Sequence, residues 1–301
     1  MKRMMLCCAA AAVLLSGCAF WETSPAPAVS APEETPFLTI AGRETAEWRY
    51  LCWLDRGIEA MAARYEAVGL TPDWTGQAGE NVQAQALADT ALYAAVEAMA
   101  EAHALTLTAE ELAELDTSVW AELPQEQGEA LAGVGALYGK LCALAQTPGS
   151  SLAPTEEELT DFAQKEGYLT LERILVPAGE GAADRAAEVF ARVNAGGEEA
   201  FFREMPQEAV TFRAGEGVFS SALEEAAAAL EAGQISGILE SEEGFSILRR
   251  GETDTAGLAA AWLDGRLLAW AEEAEILTSE AYEGLDIAAR AAVLGHPGSG
   301  G

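Results

Sequence analysis

Leu15-Ser-Gly-Cys18 is the stretch whose residue types imply a reaction. Small residues just before a cysteine let a lipoprotein peptidase cut there once the thiol carries a diacylglyceryl group, so Cys18 is the expected lipidation site. Other reactive side chains are sparse. Of the two histidines, His103 falls at a helix end and His296 in a tail rich in Gly and Pro. No metal-ligand spacing and no nucleophile beside a base can be found, so neither a metal nor a cofactor is expected. Beyond Cys18, the cysteines Cys52 and Cys142 each sit in an apolar helical context that suits a small buried hydrophobe. A disulfide between them is the alternative outside the cytoplasm. The acidic runs are solvated faces.

The elements around Cys18 belong to an exported chain. Lys2 and Arg3 precede an apolar run from Met4 to Leu15, shorter than the roughly 20 residues that cross a bilayer and suited to a secretory signal. Residues 1–17 are therefore read as a lipoprotein signal peptide. Residues 18–36 contain Pro25-Ala-Pro27 and few large apolar residues, so they form a spacer with no fold of its own. Two acyl chains on Cys18 would anchor the protein at the extracytoplasmic face of the bacterial membrane. Cleavage removes Lys2 and Arg3 from the 17 basic residues and leaves 15 against 49 acidic ones, a charge of about −34. Such a surface repels phosphate backbones and anionic headgroups, which excludes nucleic acid as a partner and leaves the lipid as the tether.

Residues 168–251 read as one α/β unit. Tyr168-Leu-Thr-Leu-Glu-Arg-Ile-Leu-Val176 alternates apolar and polar residues and is rich in β-formers, which predicts a strand ended by Pro177 and Gly179. Ala182 to Asn194 predicts a helix with Ala186, Val189, Phe190 and Val193 on one side, stopped at Asn194-Ala-Gly-Gly197 and followed by a short helix holding Phe201, Phe202 and Met205. Gly215-Glu-Gly-Val-Phe219 is expected to be a brief strand. Ser221-Ala-Leu-Glu224 has the form of a capping box opening a helix that ends at Ala232-Gly233. Gly237–Ser241 and Gly244–Arg250 then form a hairpin.

That order, with the phrases Arg173-Ile-Leu-Val176, Gly217-Val-Phe-Ser220, Leu230-Glu-Ala-Gly-Gln-Ile-Ser236 and Gly244-Phe-Ser-Ile-Leu248, resembles the parvulin family of peptidyl-prolyl isomerases. The resemblance covers about a quarter of the chain. It implies an FKBP-like domain in which an apolar pocket takes a proline ring and a polar cluster, including one histidine on the first strand and one on the last, faces the twisting amide. The two histidine positions fall on Arg173 and Ser246, both substituted. Phe219, Leu223 and Phe245 are the expected peptide-binding residues, although the chain is about five residues shorter than the family pattern near Phe219–Glu224. The acidic or thiol residue expected before the middle strand has only Glu208 and Thr211 as candidates. Arg173 itself reads as an exposed residue on the polar face of a strand, the alternative being a cationic group that contacts a peptide carbonyl.

Outside that unit the patterns are helical. Phe37-Leu-Thr-Ile-Ala-Gly42 predicts a strand and turn, with Thr45 capping a helix that carries Trp48, Leu51, Ile58, Met61 and Tyr65. An alanine-rich helix follows from Glu80 to Ala104, then one capped at Thr108-Ala-Glu-Glu111 and one over Gln125–Ala145 with small residues that permit close packing. After the α/β unit, a helix with Leu258, Trp262, Leu267 and Trp270 precedes the strand-like Glu275-Ile-Leu-Thr278. The expected fold is α+β: a helical, chaperone-like lobe (37–147), a linker and connecting helix (148–167), the inserted parvulin-like domain (168–251), a returning helix and strand (252–285) that complete the lobe, and a largely disordered tail (286–301). By resemblance to foldase lipoproteins, the function expected is a folding factor for unfolded or nascent secreted polypeptides, with isomerase activity weak or lost. The alternative is a non-catalytic envelope lipoprotein that uses the same fold to hold one specific partner. A solute-binding lipoprotein would need two lobes of βα units, which the helical N-terminal half excludes.

Overall fold

A computed structural model describes residues 36–204 and 209–298. Cys18, the signal segment, most of the spacer, Met205 and Glu208 lie outside the described residues. The architecture is mixed helix and sheet, with two antiparallel sheets. β1 (Leu38–Ile40) and β2 (Arg43–Thr45) form a hairpin across Ala41-Gly42, whose φ angles of 49° and 78° are those a tight two-residue turn demands. Helix α1 (Glu47–Ala67) begins after Ala46 without a side-chain cap. Thr45, expected to cap it, is buried at the end of β2 instead. Tyr50, Leu54 and Ile58, four residues apart, form the stripe that packs on α2 (Gln77–Ala102). That helix buries alanines on several sides, as a helix between partners must. A short α3 (Ala109–Ala113) opens with the expected capping box: Thr108 Oγ1 accepts from the Glu111 amide at 3.2 Å, and the Glu111 carboxylate accepts from the Thr108 amide at 2.7 Å. Helix α4 (Gln125–Gln146) then packs on α2.

A second capping box at Thr155 and Glu158 starts α5 (Glu156–Glu166), which leads into β3 (Tyr168–Pro177). α6 (Ala182–Glu204) is two helical segments meeting at Gly197, where the backbone leaves helical geometry. β4 (Val210–Arg213), α7 (Ser221–Ala229), β5 (Ile235–Ser241) and β6 (Gly244–Arg250) complete a sheet of order β4-β3-β6-β5. Cross-strand neighbours share a face, so the register Arg173 opposite Leu248 and Ile174 opposite Ile247 sorts the side chains. Leu169, Leu171 and Leu248 pack with Leu223, Ala227 and Leu230 under and just beyond α7; Ile174 and Ile247 pack with Val193 and Phe201 of α6 on the other face. The middle strand is therefore Val210–Arg213, where Phe212 is buried, and not Gly215–Phe219. The latter is a loop because the amides of Gly215 and Phe219 donate to the Glu224 carboxylate, at 2.7 and 2.9 Å, instead of to a strand. Glu224 is for the same reason not half of a capping box; α7 starts after Ser220 with no side-chain cap.

The chain then returns to its beginning. α8 (Ala259–Glu273) places Trp262, Leu263 and Leu267 in a cluster with Ala95 and Val96 of α2 and Val134 and Leu141 of α4. β7 (Ile276–Thr278) pairs antiparallel with β1, Leu38 opposite Thr278 and Ile40 opposite Ile276. Three-residue strands are too short to persist alone, and this pairing gives β1 partners on both edges. α9 (Glu280–Glu283) brings Tyr282 against Phe37 and Tyr50, with ring centroids 5.7 and 5.1 Å away. The tail departs from the expectation of disorder. Asp286 caps α10 (Ile287–Val293) by accepting from the Ala289 amide at 2.9 Å, and Ile287 and Ala291 are buried in the α1 cluster. Arg290 donates twice to Asp55, at 2.7 and 2.5 Å, and Trp74 Nε1 donates to the His296 carbonyl at 2.7 Å. Composition alone hid this, because the anchors sit more than 200 residues away. Cys52 and Cys142 are unpaired and belong to separate clusters. Among the described residues no helix is long and apolar enough to cross a membrane.

Candidate functional site

Register decides which of the expected site residues meet. Arg173 stands two residue pairs along the ladder from Ser246, which lies opposite Leu175, so both side chains point to the α7 face. Arg173 Nε donates to Ser246 Oγ at 3.0 Å. Its other end donates to the Glu243 carboxylate at 2.5 Å, and its guanidinium centre lies 5.7 Å from the centroid of the Phe219 ring. Arg173 is thus 7% exposed, a buried group and not the solvated one that strand alternation suggested. A buried guanidinium needs partners for its donors, and here a serine, a carboxylate and an aromatic face supply them.

Each partner is positioned by a local device. Glu243 sits in the β5–β6 turn, and Gly244 after it passes so close to β3 that an added Cβ would meet the Val176 carbonyl oxygen at 2.2 Å. Only glycine, here at a φ of 132°, lets the turn fold down far enough to bring Glu243 to Arg173. Phe219 is held by Glu224. With the amides of Gly215 and Phe219 bound to that carboxylate, the loop lays the Phe219 ring against Phe212, centroids 5.3 Å apart. These amide hydrogen bonds, that from Phe219 foremost, hold the Glu224 carboxyl below its usual range.

The remaining expected residues do not form an open pocket. Leu223 is 4% exposed and belongs to the core with Leu169 and Leu171. Ser246 is fully buried. Phe245 alternates with Ser246 and lies opposite Val176, so it belongs to the α6 face and never meets Arg173. Thr211 is engaged with Thr170, their hydroxyls 2.6 Å apart. Glu243 and Glu224 were not singled out as site residues by sequence, where one reads as a turn residue and the other as a helix cap. Their signal is tertiary. Among the described residues no group of three His, Cys, Asp or Glu could hold a metal.

A second concavity lies in the helical part. Leu92, Tyr93 and Val96 of α2, Val134, Gly135 and Tyr138 of α4, and Asp264, Leu267 and Leu268 of α8 line an apolar cavity of about 420 Å³. Tyr138 donates to Asp264 at 2.7 Å, and this hydrogen bond, with burial, pushes its phenol well above the usual range.

No family model matches the chain, and no curated protein matches it. Among solved structures it is similar to PrsA from Bacillus subtilis, at 14% identity over 64% of this chain and 82% of that one, with a TM-score of 0.28. It is also similar to the foldase protein PrsA from Streptococcus pneumoniae, at 12% identity over 83% of this chain and 86% of that one, TM-score 0.27. A structure from a pair of SurA-like chaperones of Campylobacter jejuni matches at 9% identity over 81% of this chain and 99% of that one, TM-score 0.21. Such scores describe a loose superposition.

Proposed function

We propose that this chain is an extracytoplasmic, lipid-anchored folding factor of the parvulin type that holds unfolded secreted polypeptide and has little or no isomerase activity. The phrases Arg173-Ile-Leu-Val176 and Gly244-Phe-Ser-Ile-Leu248 support the family, since they lie on adjacent strands β3 and β6 at the centre of the sheet. The helical lobe completed by α8 and β7 would be the holding part, with the α/β unit inserted in it.

The observation that carries the loss of catalysis is the 3.0 Å bond between Arg173 and Ser246. Rotation about an X-Pro bond crosses a barrier of about 20 kcal/mol, and a site lowers it by placing mobile polar groups where the amide twists. A guanidinium is not a proton-exchanging group, and two of the Arg173 donors are already committed, to Ser246 and to Glu243. Ser246 is sealed beneath it. A histidine at either place could change its protonation near neutral pH; these residues cannot.

The test is a protease-coupled prolyl isomerisation assay run beside an aggregation-suppression assay on purified residues 19–301. The expected result is a peptide-bond isomerisation rate close to the uncatalysed one, together with suppressed aggregation of an unfolded client. Strong turnover that Arg173→Ala abolishes would overturn the reading of the site. Failure to suppress aggregation would overturn the holding role.

A further inference from the structure

The apolar cavity between α2, α4 and α8 is the middle of a longer depression. On one side it shares Tyr93 and Gly135 with an open hollow of about 560 Å³ that reaches Leu115, Val119 and Trp120 beside α3. On the other it shares Asp264 and Leu268 with a hollow of about 380 Å³ that reaches Phe162, Tyr168 and Arg213 at the edge of the four-stranded sheet. The floor of the central cavity is apolar, and Leu268, where two hollows join, is 51% exposed. The walls are anionic. Lys140 pairs with Glu111, Lys165 lies 3.9 Å from Glu166, and Arg213 pairs with Glu166 and Glu216, so the lining carboxylates outnumber the two lining cations. Among the described residues Glu114, Asp116, Asp264 and Glu272 make no ion pair, and they lie along the whole length of the depression.

We propose that this depression is the client-binding groove of the helical lobe and that it selects extended, cationic segments with a large apolar side chain for the central cavity. This rests on the reading of the chain as a folding factor and names the chemistry of its client. An apolar floor rewards Leu or aromatic side chains through buried area, and an extended chain presents every second side chain to that floor. The alternate residues then meet the carboxylates, where Lys and Arg are attracted and Asp and Glu repelled. The depression spans three helices and ends at a sheet edge, a shape for a strand-like segment longer than one residue.

Two substitutions fill or charge the groove without touching the core. Gly135 has no atom within 4 Å of where a Cβ would stand, so Gly135→Trp projects its ring into open space shared by two hollows. Leu268→Lys alters an exposed position. The probes are a short labelled peptide alternating Leu and Phe with Lys, and its counterpart with Glu for Lys, followed by fluorescence anisotropy at low and high salt. The wild-type chain should bind the Lys peptide, more weakly with salt, and reject the Glu peptide. Each variant should lose about tenfold in affinity with an unchanged circular dichroism spectrum. Should Gly135→Trp misfold, Leu268→Lys decides. Unchanged affinity in the folded variants, equal binding of the two peptides, or a dimer in sedimentation that Gly135→Trp dissociates would each overturn the proposal. A wild-type chain that suppresses aggregation but binds neither peptide would sink the groove and leave the folding-factor reading intact. One that does neither sinks both.

Discussion

Arg173 shows how a charged side chain is accommodated inside a sheet face. A guanidinium at this place is too long and too strongly solvated to lie loose in a sheet face, so it is folded back onto Ser246, Glu243 and Phe219. The result is a structural knot where the parvulin resemblance leads one to expect a reactive cluster. Glu224 holds the adjoining loop, and its depressed carboxyl pKa sets a pH dependence. A group whose pKa is lower in the folded chain stabilises it above the unfolded value, and that contribution is lost as pH falls through the folded value. Glu224→Gln should therefore lower the melting temperature by a few degrees at neutral pH. As pH drops below the usual 4.5 the two proteins should converge. Equal melting temperatures at pH 7 would show that the carboxylate does not hold the loop.

At the scale of elements, α8 ties β7 and the helices after it to α2, α4 and β1. It contributes Leu263, with no exposed surface, to the cluster of α2 and α4, and it delivers β7 to the open edge of β1. Truncating such a side chain costs its transfer free energy and leaves a cavity between three helices. Leu263→Ala should cost about 2–5 kcal/mol of stability in urea unfolding. The shift should appear in the transition reported by far-UV helix signal. A loss below about 1 kcal/mol would mean that α8 is not part of the cooperative lobe.

For the whole molecule the governing quantity is charge. At −32 for the full chain, with 49 acidic residues, carboxylates crowd one another over a surface that has few cations to pair them. Raising ionic strength from about 0.01 to about 1 M shortens the Debye length from about 30 to about 3 Å. Self-repulsion then fades, so the melting temperature should rise with salt. Capture of a cationic client should weaken over the same range. Opposite signs in two measurements on one sample distinguish this from a general salt effect; a melting temperature that falls with salt would mean that ion pairs outweigh repulsion.

What could be read from the chain by itself was local. Alternation over Tyr168–Val176 located β3, and Thr108 announced a helix through Glu111 three positions on, because period and capping act within a turn or a strand. Positions for Arg173 and Ser246 in the sheet also followed from the phrases that contain them. Tertiary structure decided the rest. Burial of Arg173 depends on Glu243, 70 residues on, and on a glycine turn pressed against β3. The loop at Gly215–Phe219 looks like a strand until Glu224 takes its amides, and the tail looks shapeless until Asp55 takes Arg290. In each case the deciding free energy comes from a charged group finding its partner across the fold, and such partnerships have no period and no fixed spacing along the chain.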